Sequence, residues 1–223
     1  MQTTTTFHKA TPHLGQGIYL TSDVSEILKL PYHKVKYLMS SFWHGATFGD
    51  KGSQAVNFFA LIEFYTYYHL REDGFTAKEI KTLHKELSKE LNTDYPFASV
   101  RIKTPLEKKN KSKIWYEYMG LLIKGDGSNK TYISEFIDPF MKRIEFGDNQ
   151  LAKRFFPITG TKNVVVDPNH QFGQPVINGT NLQTKTINNL FIAGETKQNI
   201  CILYDISEDQ INDAIKYYTI KVA

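Results

Sequence analysis

One cysteine, Cys201, in 223 residues excludes an intrachain disulfide and a cysteine-built zinc site. No apolar run reaches transmembrane length, and the Thr-rich start Met1–Thr6 lacks the basic-then-apolar pattern of a secretion signal. These absences predict a cytoplasmic protein with no membrane partner, so Asn178-Gly179-Thr180 carries no weight as a glycosylation sequon. The marks of catalysis are missing too. There is no His/Cys ligand spacing, no nucleophile elbow and no catalytic carboxylate pair. A metal-dependent nuclease would have to use Glu135, Asp138, Asp148 and Asp167. Two of these precede proline and one sits in a turn, where aspartate is favoured for backbone reasons alone. Gly45–Lys51 fails as a phosphate loop, because Asp50 separates Gly49 from Lys51 and no Ser or Thr follows the lysine directly. The expectation is a protein that is not an enzyme and holds no metal or cofactor.

What is present describes a globular chain large enough for a sizeable core, 41% hydrophobic and 22% charged. Its net charge of +4 is unevenly spread. Residues 1–96 carry ten basic and ten acidic side chains, 97–162 thirteen and seven, and 163–223 four and six. A basic chain with an acidic tail suits a nucleic-acid binder that also meets a second, differently charged partner.

The N-terminal third is organised around Tyr19–Phe42. Val24, Ile27 and Leu28 have the apolar spacing of a short amphipathic helix, capped by Thr21 or Ser22, with Asp23 and Glu26 favourably placed in its first turn. Pro31 ends it and opens a second helix. There Val35, Leu38, Met39 and Phe42 must face the first, which leaves Tyr32, His33, Lys34, Lys36, Tyr37 and Ser40 outward. This predicts a helix-turn-helix whose outer face, with two lysines and no acid, suits a phosphate-lined groove. Residues 43–56 read as a connecting loop, or a wing on the DNA backbone.

Asn57–Glu72 predicts a helix apolar almost all round, one that needs cover on several sides and so suggests a second subunit. Thr76–Glu79 is a capping box opening a helix to Leu91, with a narrow stripe of Ile80, Leu83, Leu87 and Leu91. His69 and His84 read as packing or surface residues. Tyr19–Pro96 resembles the MerR-type winged-helix regulators, through Val24–Phe42 and through His69–Ile80. It lacks their long C-terminal dimerisation helix and their metal-sensing cysteines, so that metal-responsive role is not implied.

Phe97–Lys162 reads as β-rich. Strands are expected at Val100–Lys103, Ile114–Met119, Leu121–Lys124 and Lys130–Ile133, with Gly125–Asn129 as a hairpin tip. A short helix is expected at Ser134–Lys142, and a second hairpin from Arg143–Phe146 and Leu151–Phe156 about Gly147-Asp148-Asn149. Lys108, Lys109, Lys111 and Lys113 form a basic loop. Trp115, Tyr116 and Tyr118 are the residues that would line a ligand pocket if the chain were a free-standing, ligand-responsive regulator.

The last stretch predicts a strand Val164–Val166, a turn at Asp167-Pro168 and a rigid loop from Phe172 to Thr180. Three helices follow. Ile187, Leu190 and Phe191 mark the first, with Gly194 as C-cap, and Ile200 and Leu203 mark the second. Ser207–Gln210 caps the third, on which Ile211, Ala214, Ile215 and Tyr218 share a face. Val164–Pro168, Phe172–Val176, Gly179-Thr180, Ala193–Glu195 and Ile211–Tyr217 closely resemble the domain-of-unknown-function family 433. Such a tail behind a MerR-like head is similar to VapB-type antitoxins. That resemblance implies a PIN-like ribonuclease toxin as partner, operator DNA as a second partner, and a homodimer. Phe172, Gly173, Pro175, Gly179 and Thr180 become the partner-binding candidates. Relatives tend to carry a basic residue where this chain has Asn181-Leu182.

The expected fold is α+β, mostly α. It comprises a MerR-like winged helix-turn-helix (1–96), a small antiparallel β-rich middle (97–162) and a three-helix homeodomain-like module (163–223). Glu208, Asp209 and Asp213 on the last helix oppose a phosphate backbone, so the head should meet DNA and the tail protein. Deleting 163–223 is then expected to leave a folded head.

Overall fold

The structure, a computed structural model, describes residues 15–43, 46–50, 53–99, 101–103, 115–118, 121–124, 130–131 and 141–220. It is a mostly helical α+β chain with seven α-helices and small antiparallel sheets among the described residues. The described residues form two compact units, one from the residues up to Phe58 and from Arg154 onward, the other Phe59–Lys153. This grouping joins residues from the two ends of the chain.

In the first unit, β1 (Tyr19–Leu20) leads straight into α1 (Thr21–Leu28), and α2 (Tyr32–Tyr37) follows. The N-cap of α1 is Leu20, not Thr21 or Ser22: Asp23 Oδ2 accepts the Leu20 N–H at 2.9 Å. The Thr21 hydroxyl is instead buried, donating to Met39 Sδ at 3.2 Å. Lys29 adopts a left-handed conformation (φ 57°) that ends α1, with Ser25 accepting backbone bonds and donating to Leu30. Val24, Ile27, Leu28, Val35, Leu38 and Met39 are buried as their spacing requires. The α2 helix widens into a π-turn over Leu38–Phe42, where Ser40 and Ser41 hydroxyls both donate to the Tyr37 carbonyl and compete for its helical bond. Phe42's side chain lies outside the described residues. Residues 43–56, expected as a connecting loop or a wing, contain β2 (Thr47–Phe48) and β3 (Ala55–Val56), which with β1 make a three-stranded sheet in the order β1-β3-β2. Gly49 (φ 90°) turns the hairpin, and a Cβ there would lie 2.6 Å from the Ser53 carbonyl oxygen.

In the second unit, α3 (Phe58–Glu72) begins at the boundary residue Phe58, is apolar round its circumference and is largely buried within this one chain. Following it, α4 (Ala77–Leu91) starts on the Thr76/Glu79 capping box and buries Ile80, Leu83, His84 and Leu87. Glu63 is fully buried. Its Oε1 accepts the N–H groups of Phe97 (2.7 Å) and Ala98 (3.1 Å), and His84 Nε2 lies 3.0 Å from its Oε2. The β-rich expectation holds as an antiparallel meander, β4 (Arg101–Lys103), β5 (Trp115–Tyr118), β6 (Leu121–Lys124) and β7 (Lys130–Thr131). Side chains there, the Lys108–Lys113 loop, the Gly125–Asn129 tip and most of the expected Ser134–Lys142 helix lie outside the described residues; a 3-10 turn occupies Met141–Arg143. Strands β8 (Ile144–Phe146) and β9 (Ala152–Phe155) form the second expected hairpin, closed by Gly147 N–H to Leu151 C=O at 2.8 Å.

The tail returns to the first unit. There β10 (Val164–Val165) pairs antiparallel with β11 (Val176–Ile177), a strand inside what the sequence predicts as loop. Three helices follow, α5 (Thr184–Ile192), α6 (Lys197–Tyr204) and α7 (Glu208–Thr219). Gly194 (φ 97°) ends α5 as expected, with its own N–H and that of Glu195 closing on Phe191 and Leu190. The core is Ile158, Val164, Ile177, Ile187, Ile200, Ile206, Ile211, Ala214 and Tyr217. Two expected core markers are not in it: Phe191 is 40% and Leu203 67% exposed. On α7 the buried stripe runs through Tyr217, not Ile215 and Tyr218.

Candidate functional site

Pro31 sets the entry to α2, and its carbonyl accepts the Lys34 (2.9 Å) and Val35 (3.2 Å) N–H groups. Burying Val35, Leu38 and Met39 against α1 fixes the phase of the helix. Tyr32, His33, Lys34, Lys36, Tyr37 and Ser40 are all exposed in consequence. The two tyrosines are 52% and 64% exposed. This surface carries two fixed positive charges and no carboxylate. Ser40 is partly spoken for, since its hydroxyl donates to the Tyr37 carbonyl at 3.2 Å.

The tail loop is built differently. Asp167 Oδ1 accepts the Asn169 N–H (2.9 Å), the turn chemistry that explains an aspartate here without catalysis. His170 folds back, its N–H on the Asp167 carbonyl (3.0 Å) and its ring Nε2 3.0 Å from the Thr180 carbonyl oxygen. Gln171 (φ 48°) and Phe172 (φ 56°) are consecutive left-handed residues, and Gly173 (φ 79°) follows. Of the five partner candidates, Phe172 and Gly179 are exposed and Thr180 is half-buried. Gly173 and Pro175 are buried and shape the loop from beneath. Sequence reasoning missed Arg154, His170 and Asn178, which line an open cleft of about 360 Å³ with Asp167, Gly179 and Thr180. No short motif marks them, because strand and loop bring them together from separate stretches.

The two surfaces are joined inside the first unit. A Cβ on Gly173 would land on the Tyr19 hydroxyl and lie 2.7 Å from its Cζ, while one on Gly17 would lie 2.7 Å from the other side of the ring. Tyr19 is fully buried in this grip. Burial first, then the charges of Asp167 and Asp23, raise its pKa far above the ordinary phenol value. A second link sets Lys29 Nζ 3.9 Å from the Tyr217 ring centroid, a cation–π contact. Burial holds the Lys29 pKa below its usual value, with Glu26 opposing. On α7, Glu208 and Asp209 are exposed, whereas Asp213 is structural, accepting Thr161 Oγ1 and Asn163 Nδ2 at 2.7 Å each.

Among the described residues no group of three or more His, Cys, Asp or Glu side chains could hold a metal ion, and no helix is long and apolar enough to cross a membrane. Glu135 and Asp138 lie outside the described residues. The chain is 31% identical, over 97 residues, to a Mycobacterium tuberculosis protein named "Putative antitoxin VapB45"; the match spans 43% of this chain and 40% of that curated relative's length. A crystal structure of Rv2018 from Mycobacterium tuberculosis has the same fold, with a TM-score of 0.65 over 88% of this chain and 96% of that one, at 20% identity. Over the same hairpin, loop and three helices described above, residues 164–218 match the model of a family of proteins of unknown function, DUF433.

Proposed function

We propose that this chain is the antitoxin of a type II toxin–antitoxin pair, a non-enzymatic homodimer that neutralises a PIN-like ribonuclease toxin and represses its own operon. The observation that carries the reading is the similarity to the mycobacterial antitoxin-named protein, in a chain that also has a DUF433 tail. Toxin contact is assigned to the tail and operator contact to the head.

The geometry supports the operator half of this reading. Two helices followed by the β2–β3 hairpin make the arrangement a MerR-like winged helix-turn-helix requires. The exposed side of α2 offers Lys34 and Lys36 to phosphates and Tyr32, His33, Tyr37 and Ser40 to bases or sugars. Each lysine placed at a phosphate releases a counterion, so affinity falls as salt rises.

The test is co-expression with the product of the adjacent gene, followed by a ribonuclease assay with and without this protein. Ribonuclease activity unaffected by a stoichiometric amount of the chain refutes the antitoxin reading. Lys34→Ala with Lys36→Ala should weaken operator binding and reduce the salt slope by about 2. An unchanged slope refutes the assignment of the DNA face.

A further inference from the structure

Helix α6 turns Ile200 into the core of the tail. At 3.6 residues per turn, its other side is then left to Gln198, Asn199, Ile202 and Leu203, all of them exposed. Ile202 is 82% and Leu203 67% exposed. One apolar side chain in water is ordinary. Two adjoining ones on an eight-residue helix, with only amides beside them, depart from a solvated face, which carries charge. Ile192, the last residue of α5, is 74% exposed, and its neighbour Phe191 has its ring centroid 6.0 Å from the Lys197 ammonium at the start of α6. Charge borders this face instead of lying on it. Glu195 precedes α6, Asp205, Glu208 and Asp209 follow it, and all are exposed. Asn199 Nδ2 donates to Glu195 Oε2 at 3.3 Å, which holds that carboxylate against the helix, and Asp205 is the C-cap at the other end. The lysine of this stretch, Lys197, is engaged, donating to Asn212 Oδ1 at 2.6 Å.

We propose that the exposed side of α6 docks the toxin, in an apolar groove that the toxin borders with lysine or arginine; the claim rests on the antitoxin reading above. Ile202 and Leu203 fill the groove, and the carboxylates of Glu195, Asp205, Glu208 and Asp209 meet its basic border. An enzyme that cuts RNA must hold a polyanion, so the surface around its active centre is cationic. An apolar ridge with an acidic border covers such a surface and shuts RNA out, with the apolar centre and polar rim of a specific interface. A second copy of this chain fits less well. Pairing α6 with its two-fold counterpart gathers the carboxylates of both copies around one axis, and like charges so placed oppose association. An anionic membrane or a nucleic-acid backbone is repelled by the same groups.

The experiment is titration calorimetry of the full chain against the product of the adjacent gene. Ile202→Ser with Leu203→Ser removes the ridge, and Ile202→Lys, which suits a helix, sets a positive charge against the basic border. Asp205→Asn with Glu208→Gln removes charge alone, and Phe172→Ala on the tail loop is the comparison. The serine pair should lose about 30-fold or more in affinity, and Ile202→Lys should lose affinity too. The amide pair should bind about tenfold more weakly at low salt, with a flatter salt dependence. Circular dichroism of all four should stay as in wild type, and Phe172→Ala should bind normally. If wild type binds and the serine and lysine variants bind equally well, the docking face is refuted while the antitoxin reading stands. The same holds if only Phe172→Ala loses binding. An unchanged affinity and salt dependence in the amide pair refute the basic border and with it the choice of occupant. If light scattering shows that the serine pair dissociates a homodimer, the face belongs to a second copy and the proposal is overturned. If wild type does not bind, the antitoxin reading fails and the docking face with it.

Discussion

Replacing Gly173 by alanine tests whether the tail loop and the start of the head are packed as one piece. Two costs are expected. The residue has φ 79°, and an L side chain there costs about 1–2 kcal/mol. The new Cβ must also displace the Tyr19 ring, which cannot retreat because Gly17 closes its other side and the side chain is fully buried. Overpacking of that kind adds about 1–3 kcal/mol. Gly179→Ala is the matched control, since its φ is 84° and a Cβ added there would meet nothing within 4 Å. It should show the conformational cost alone, and the altered entropy of the unfolded chain is common to both variants. Urea unfolding followed by circular dichroism should therefore separate them by about 1–3 kcal/mol. Tyr19→Phe supplies the third arm. Among the described residues its hydroxyl has no hydrogen-bond partner, so the single variant should be near neutral. Combined with Gly173→Ala it should recover part of the loss, though not all, because Cζ would still be 2.7 Å away. Equal destabilisation by the two alanine variants, or no recovery with Tyr19→Phe, refutes the interlock.

Two further outcomes concern the second unit. Glu63→Ala leaves the Phe97 and Ala98 N–H groups and His84 without their buried carboxylate, and should cost about 3–5 kcal/mol in urea unfolding. Glu63→Gln keeps an acceptor and should cost less; equal losses would show that the contacts do not matter. His69 is held at about 4, below its ordinary 6.5, by burial and then by the Arg143 charge. Between those values the unfolded chain takes up a proton that the folded chain refuses, so stability should fall as pH is lowered through that window. His69→Gln should flatten the fall, and an unchanged profile would refute the assignment.

Legibility in the sequence tracked the range over which a structural cause acts. Thr76–Glu79 and Ser207–Gln210 declared their helix starts because a capping box is complete within four residues. The outward side of α2 could be read because one amphipathic period fixes which side chains face out. Features requiring a distant partner were hidden. Glu63 reads as a charged residue in an apolar helix until Phe97 and His84 are brought to it. Strands of two residues, such as β10 and β11, carry no period to detect. On α7 the buried stripe is displaced by one residue: Tyr217 is fully buried and Tyr218 half-buried, and both rings lie near the Lys29 ammonium, at 3.9 Å and 5.9 Å. The loop was hidden for another reason. Nothing in Gln171-Phe172 signals a left-handed pair, since these residue types avoid that region and reach it only under tertiary constraint.

That constraint also changes how the ends of the chain relate. Charge alone suggests a cationic reader and an anionic partner module that could be separated at residue 163. Contact says otherwise. Tyr19 opens the strand that runs directly into α1, and the tail's Gly173 closes over its ring. Lys29 ends α1 in a left-handed turn, and its ammonium sits over Tyr217 on α7. Both ends of α1 are thus held by the tail. Removing residues 163–223 would bare an aromatic ring and strip a half-buried lysine of its cover, so that deletion should destabilise the head, which circular dichroism of the truncated chain would check. The strained residues that present Phe172 adjoin Gly173, which is packed against Tyr19, two residues before α1 begins. A partner that altered the loop would therefore act on Tyr19 through a packed contact, and side chains packed this closely shift together rather than absorbing the change.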